Sequence, residues 1–293
     1  MQRPTLPLRA SNVFFYYADL DRAVSFYGQT LGFKLVADYG KAKIFQIAST
    51  SFITLVDNAI GMHSSEEAKT VTLASVVTDV QGWYDYLQGQ QVPIHNELAM
   101  QSGRAYDGFV ALDPEGYYLE FVRFNDHVDN ARLLPRLNTL PSTQGDVSEA
   151  KSRPAELTIT ATILWLYYQA KAATHEFMTE TLGLEPVYEQ SLATIYAASP
   201  SGFLGAVVAG EGLHPYSEQK AVTVSLLTDE IENWLKWIPT RSDARLRTGE
   251  IAVRERYHAL VAYTPENYYL EFNTFLEHPD NGGFMRALYP QAT

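Results

Sequence analysis

Apolar and polar positions alternate along this chain in a repeating order of strand and helix signals. The run Asn12 to Tyr17 is β-rich and ends at Asp19, a side chain suited to cap a helix. Leu20, Ala23, Val24, Tyr27 and Leu31 then fall on one helical face, and Gly32 supplies the left-handed residue that closes it. Three strands follow by pattern, near Lys34–Tyr39, Lys43–Ala48 and Phe52–Val56, separated by Gly or Ser/Thr turns. The order then recurs. Val71–Val77 reads as a strand, Asp79 as a cap, and Val80, Trp83 and Leu87 as a helical stripe. Val92–His95, Tyr106–Leu112 and Tyr117–Phe124 read as strands, the last two joined by the turn Asp113-Pro114-Glu115-Gly116. The predicted unit is β-α-β-β-β.

The chain also repeats on a longer scale. Tyr-Tyr-Leu-Glu-Phe occurs at Tyr117–Phe121 and again at Tyr268–Phe272, an offset of 151. The same offset relates Leu31-Gly32 to Leu182-Gly183, Gly61-x-His63 to Gly212-x-His214, Trp83 to Trp234 and Tyr106 to Tyr257. Thr264-Pro265-Glu266-Asn267 stands where the first copy has its Pro turn. The sequence therefore predicts an α+β protein of four β-α-β-β-β units in two tandem domains with curled, mainly antiparallel sheets. Residues 1–137 form the first domain, 138–157 a polar linker and 158–293 a degenerate second copy.

Composition narrows the partner. Lys and Arg number 22 against 34 Asp and Glu, a formal charge of −12, with no basic block to attract nucleic acid or an anionic membrane. The absence of cysteine excludes disulfide scaffolds, Cys-ligated metal and thiol catalysis, and suits a reducing compartment. The N-terminal MQRPTLPLRAS lacks the apolar core of a signal peptide, and apolar stretches such as Ile159 to Tyr168 are too short to span a bilayer. The expectation is a cytoplasmic protein with a small-molecule partner.

Ala18-Asp19-Leu20-Asp21-Arg22-Ala23-Val24-Ser25-Phe26-Tyr27, then Leu31-Gly32-Phe33, and Asp113 to Phe121 together resemble the vicinal oxygen chelate superfamily. That group includes glyoxalase I, extradiol ring-cleaving dioxygenases and bleomycin resistance proteins. The resemblance implies that pairs of units curl into a cup around a ligand. It also implies an internal pseudo-dimer and allows a homodimer. Working members hold Fe, Mn, Zn or Ni through His or Gln, His, and Glu on three strands of the cup. The matching positions are Asn12, Thr72 and Glu120 in the first copy, and Ile163, Val222 or Thr223, and Glu271 in the second. Only the carboxylates fit the pattern, so no cofactor is expected, with Glu120 and Glu271 as the metal ligands if a divalent metal is bound.

Strand alternation turns Glu120 into the cup, because Leu119 and Phe121 form the face that meets the helices. The chain carries 19 Tyr, 14 Phe and 4 Trp, enough to line a pocket as well as fill cores. Asn12, Phe14, Tyr16, Thr72, Tyr106, Tyr118, Trp165, Tyr167 and Tyr269 are the candidate ligand contacts. Glu120 is the candidate base, assisted by Asn12, Thr72 and His95; His95 has Leu246 at the offset position. His63 and His214 read as exposed or turn-stabilising loop residues, and His127 and His278 as loop satisfiers. The implied function is binding of a small aromatic or oxygenated metabolite in an aromatic-lined cup with a degenerate metal site. The alternative is a metal-dependent lyase or ring-cleaving dioxygenase.

Overall fold

The computed structural model describes residues 7–145 and 153–290. The first residues of the N-terminal segment discussed above and the middle of the 138–157 segment lie outside the described residues. In the first unit β1 (Ala10–Tyr17) leads into α1 (Leu20–Ser25), which widens into a π-helical turn over Phe26–Thr30, and then β2 (Lys34–Asp38), β3 (Ala42–Ala48) and β4 (Ser51–Asp57). The second contains β5 (Val71–Val77), α2 (Val80–Gly89), β6 (Ile94–Ala99), β7 (Tyr106–Leu112) and β8 (Tyr118–Phe124), and is followed by the short α3 (Leu134–Leu137). The third contains β9 (Ile159–Tyr168), α4 (Lys171–Glu176), β10 (Glu185–Glu189), β11 (Ala193–Ala197) and β12 (Gly202–Val208). The fourth contains β13 (Val222–Leu227), α5 (Ile231–Trp237), β14 (Arg245–Leu246), β15 (Ala252–Val253), β16 (Tyr257–Tyr263) and β17 (Tyr269–Phe275), followed by α6 (Gly282–Leu288).

These elements realise the predicted α+β order, but the units pair crosswise. β1 of the first unit runs antiparallel to β13 of the fourth, with Asn12 opposite Ser225 and Phe14 opposite Thr223. The result is sheet A, nine strands that run β14-β16-β17-β13-β1-β4-β3-β2, with β15 on β16. β5 of the second unit runs antiparallel to β9 of the third, with Thr72 opposite Trp165 and Ala74 opposite Ile163. That gives the eight strands of sheet B, in the order β10-β11-β12-β9-β5-β8-β7-β6. Each sheet therefore draws one unit from each sequence copy.

Alternation along the central strands divides core from cup. Val13, Phe15 and Tyr17 of β1 and Leu164, Leu166 and Tyr168 of β9 enter one large core shared with Trp83 of α2 and Trp234 of α5. The opposite set, Asn12, Phe14 and Tyr16 on β1 and Ile163, Trp165 and Tyr167 on β9, faces the concave side of its own sheet. One end of each concavity is filled. Leu133 and Leu137 pack against Ile163, Val187 and Phe203 in sheet B, and Phe284 and Leu288 of α6 pack against Val36, Ile44 and Phe52 in sheet A.

Reciprocal contacts tie the halves. The Thr50 N–H donates to Ser201 Oγ at 2.8 Å, and the Ser201 N–H donates to Thr50 Oγ1 at 2.9 Å. Residues at the 151 offset thus bond each other, as at a twofold axis. The first tyrosine of each repeated pentapeptide crosses between the sheets. Tyr117 stacks on Phe15 at 3.8 Å, accepts the Tyr16 N–H at 3.0 Å and donates to the Ala221 carbonyl at 2.5 Å. Tyr268 accepts the Tyr167 N–H at 2.8 Å. The Pro turns add a second clamp. Glu115 accepts the Ala18 and Asp19 N–H groups, and Glu266 accepts those of Gln169 and Ala170. Gly116 and Asn267 hold the positive φ that both turns require.

Tyr117→Phe keeps the ring but strands the Tyr16 N–H and the Ala221 carbonyl. Urea unfolding is expected to show a loss of about 1–3 kcal/mol. A loss below ~0.5 kcal/mol would show that the hydroxyl does not couple the sheets.

Candidate functional site

The concave face of sheet A encloses a cavity of about 290 Å³. Phe14, Tyr16, Tyr39, Tyr257 and Phe275 supply its rings, and Thr54, Glu271 and Asn273 its inner polar groups. These polar groups are linked. Asn273 Nδ2 donates to Glu271 Oε1 at 2.8 Å, and its Oδ1 accepts Ser225 Oγ at 2.8 Å. Below them Asn12 donates to Thr54 Oγ1 at 2.8 Å, while its own Oδ1 is buried without a donor among the described residues. Glu271 is 6% exposed, and no described donor reaches its Oε2. Burial raises its pKa against the opposing effects of Asn273 and the Arg247 charge. Arg247 and Arg254 stand at the mouth of this cavity.

The concave face of sheet B encloses about 240 Å³ and is chemically different. Trp165 Nε1 donates to Glu120 Oε2 at 2.9 Å. The indole lies over Gly205, where any Cβ would overlap the ring. Burial pushes the Glu120 pKa up to about 7, and the indole hydrogen bond lowers it only in part. The residues at the offset positions in sheet A are Phe14 and Thr54, so one cup has a large ring over no side chain and the other a smaller ring beside a hydroxyl. Ala74 and Val122 stand where sheet A has Ser225 and Asn273.

Beside each cup a loop carries the repeated Gly-x-His. Gly61 lies flat on the Tyr16 ring and Gly212 on that of Tyr167, so that a Cβ at either would clash. His63 is 6% exposed, makes edge contacts with Tyr16 at 5.0 Å and Tyr269 at 4.6 Å, and bonds Glu67 through Nδ1 at 2.8 Å. His214 is 7% exposed, lies against Tyr118 and Tyr167, and places Nε2 3.1 Å from the Val71 carbonyl. Burial lowers both imidazole pKa values, against the opposing effect of Glu67 on His63, and takes that of His214 to about 4, so His214 is neutral at ordinary pH. The expectation of exposed loop histidines is thus corrected: each is packed between residues of both copies. His127 and His278 satisfy their loops as expected, Nδ1 accepting the N–H of Asp129 and Asp280.

The crosswise sheets redistribute the candidate residues. Asn12, Phe14, Tyr16, Tyr269 and Glu271 belong to sheet A, whereas Thr72, Tyr106, Tyr118, Glu120, Trp165 and Tyr167 belong to sheet B. Asn12 and Glu120, which share a sequence copy, lie on different sheets, Asn12 on β1 of sheet A and Glu120 on β8 of sheet B. His95 is exposed on β6 and lies tilted against Tyr118 at 4.4 Å, outside the residues lining the Glu120 cavity. Thr72 Oγ1 bonds the Tyr167 hydroxyl at 3.1 Å. Sequence reasoning missed Arg247, Arg254, Ser225, Asn273 and Gly205. The offset comparison of Trp165 with Phe14 and Gly205 with Thr54 carried the signal for the last.

The divalent metal that the resemblance implies does not suit these side chains. In sheet B an N–H donor occupies Glu120, Ile163 is apolar, and the Thr72 hydroxyl is engaged with that of Tyr167. In sheet A the carboxylate is accompanied by amides and hydroxyls engaged with one another, which are weak ligands beside imidazole. Among the described residues no three His, Cys, Asp or Glu side chains converge. No helix among the described residues is long and apolar enough to cross a membrane.

Residues 9–121 match the family model of the Glyoxalase/Bleomycin resistance protein/Dioxygenase superfamily. A glyoxalase I mutant from Zea mays shares the fold at 15% identity and a TM-score of 0.66, with 97% of this chain and 96% of that one covered. A putative dioxygenase from Bacillus subtilis is similar at 14% identity and a TM-score of 0.64, with 97% and 91% covered. No curated protein matches the sequence. The family model thus lies within the first copy, and the fold of these structures extends over both.

Two measurements test the sheet B geometry. A carboxyl whose pKa is higher folded than unfolded costs stability increasingly as pH rises from the ordinary carboxylate range through about 7. Glu120→Gln should therefore gain about 2 kcal/mol relative to the parent between about pH 5.5 and about pH 8.5 in urea unfolding, and an equal gain at both pH values would refute the shift. Gly205→Ala should displace Trp165, red-shift the tryptophan emission and cost about 1–3 kcal/mol, with no red shift in a Trp165→Phe background.

Proposed function

We propose that the protein binds a small, planar, oxygenated molecule in the sheet A cup without a catalytic metal. The carrying observation is the half-satisfied carboxylate of Glu271, one oxygen held by Asn273 and the other facing a ring-lined cavity. A buried carboxylate with a free oxygen is costly unless a donor reaches it, and a hydroxyl on a ring seated among Phe14, Tyr39 and Tyr257 would be such a donor. A cavity of about 290 Å³ lies at the small end of ligand sites and suits a single ring. The equivalent carboxylate of sheet B likewise has one oxygen held by the protein, there by Trp165. The donor sets of both cups favour binding over the metal-dependent lyase or dioxygenase chemistry of the superfamily.

Calorimetric titration with 4-hydroxybenzyl alcohol after dialysis against a chelator checks this reading. Saturable binding is expected, unchanged by added Zn or Mn and abolished by Val261→Trp, which fills the sheet A cavity. Binding that survives Val261→Trp, or about one equivalent of bound metal lost in Glu271→Ala or Glu120→Ala, would overturn it.

A further inference from the structure

The two cups differ most in charge. The mouth of the sheet A cavity carries Arg247 and Arg254, whereas the sheet B cavity has no Lys or Arg in its lining and includes Glu211 as well as Glu120. Other arginines nearby are engaged: Arg256 pairs with Asp280 at 2.8 Å and Arg241 with Asp243 at 3.6 Å. Arg247 and Arg254 have no carboxylate within ion-pair distance among the described residues; Arg247 Nη1 contacts the Met62 sulfur at 3.0 Å while its guanidinium lies 5.7 Å from the centre of the Tyr269 ring, and Arg254 Nη1 donates to the Val253 carbonyl at 3.1 Å. In a chain of net charge −12, two unpaired guanidinium groups at one cavity mouth are a local reversal of sign.

Backbone pairing sets their placement. The short strand β14 is followed by Arg247, whose N–H donates to the Val261 carbonyl at 2.8 Å, and Val261 sits opposite Glu271 in the ladder. Arg254 follows β15 and its N–H donates to the Tyr257 carbonyl at 3.0 Å. One sheet edge thus carries both cations on the approach to a carboxylate that is 6% exposed. The first copy has Asn96 where the second has Arg247, and Gly103 where it has Arg254, so the charge belongs to the sheet A cup alone.

We infer that the sheet A cup takes a single-ring aromatic carboxylate or similar organic anion, with a ring hydroxyl directed inward to Glu271 and the anionic group held outward by Arg247 and Arg254. The inference rests on the reading of this cavity as a ligand site and adds the charge and orientation of the ligand. Guanidinium–carboxylate pairs are strong and oriented because two N–H groups can face two oxygens. The inner group must be a neutral donor, since a second anion would meet the Glu271 carboxylate.

Comparison of 4-hydroxybenzoate with 4-hydroxybenzyl alcohol isolates the anionic group. At neutral pH the carboxylate probe is expected to bind at least about tenfold more tightly. The Arg247→Gln, Arg254→Gln double variant should erase that preference, bringing the anion's affinity down to that of the neutral probe, and added salt should weaken the anion in the parent. Both arginines are exposed, so the variant is expected to retain the parent's unfolding curve. Equal affinities in the parent, or a preference that persists in the double variant, would overturn the anion inference and leave the binding reading intact. Failure of both probes to bind would overturn both.

Discussion

Two antiparallel strand pairs, β1 with β13 and β5 with β9, hold the molecule together and decide what each cup contains. Each pair joins strands from different sequence copies, so neither copy closes a sheet by itself. Alone, the first copy would leave β1 and β5 with unpaired edges lined by apolar side chains, a state that natural sheets avoid. The tyrosine bridges act on the same seam. Tyr117 extends from the start of β8 to the backbone of β1, and Tyr268 from the start of β17 to that of β9. Pairing within each sheet and bonding between sheets are therefore coupled: a shift of β1 against β13 would also break the Tyr117 contacts.

Local structure was legible in the sequence because its signals are local. The predicted Val71–Val77 and Tyr106–Leu112 coincide with β5 and β7, and the Asp113 and Thr264 turns form with positive φ at Gly116 and Asn267. Crosswise pairing was not legible. Val71–Val77 and Val222–Leu227 are equally apolar partners for β1 by pattern, and only the three-dimensional path of the connecting segments distinguishes them. That ambiguity passed directly into the candidate site, because residues grouped by sequence copy are divided between two sheets. Asn12 and Glu120 are the clearest case. The histidines misled for a related reason. His63 and His214 follow a glycine in a loop, which reads as exposure, whereas that glycine is what lets the loop lie flat on Tyr16 or Tyr167 and bury the imidazole.

The duplication kept one backbone and changed its contents. Trp165 over Gly205 and Phe14 beside Thr54 occupy the same positions, and each pair is self-consistent: the larger ring needs the missing Cβ, and the smaller ring leaves room for the hydroxyl. Ser225 and Asn273 in sheet A give way to Ala74 and Val122 in sheet B. These exchanges place a hydroxyl and an amide beside the carboxylate of sheet A and an indole beside that of sheet B. Packing density makes such changes interdependent, since a core position enlarged without its partner is strained.

Most of the repeated Tyr-Tyr-Leu-Glu-Phe strand is explained by packing. Tyr117 and Tyr268 bridge the sheets, Leu119 and Phe121 with Leu270 and Phe272 enter the core, and Tyr118 and Tyr269 meet the loop histidines. The glutamate is the exception. Glu120 and Glu271 each cost the free energy of taking a carboxylate out of water, which a leucine or glutamine of similar shape would not. Each is nonetheless met by a donor from a residue without a like neighbour at the 151 offset: Trp165 faces Glu120 where Phe14 stands in the other cup, and Asn273 faces Glu271 where Val122 stands. Two unlike solutions to the same buried charge mean that the surroundings adapted to the carboxylate in each cup separately. In each cup one carboxylate oxygen is held, by an indole in sheet B and by an amide in sheet A, and only the sheet A cavity carries two arginines in its lining.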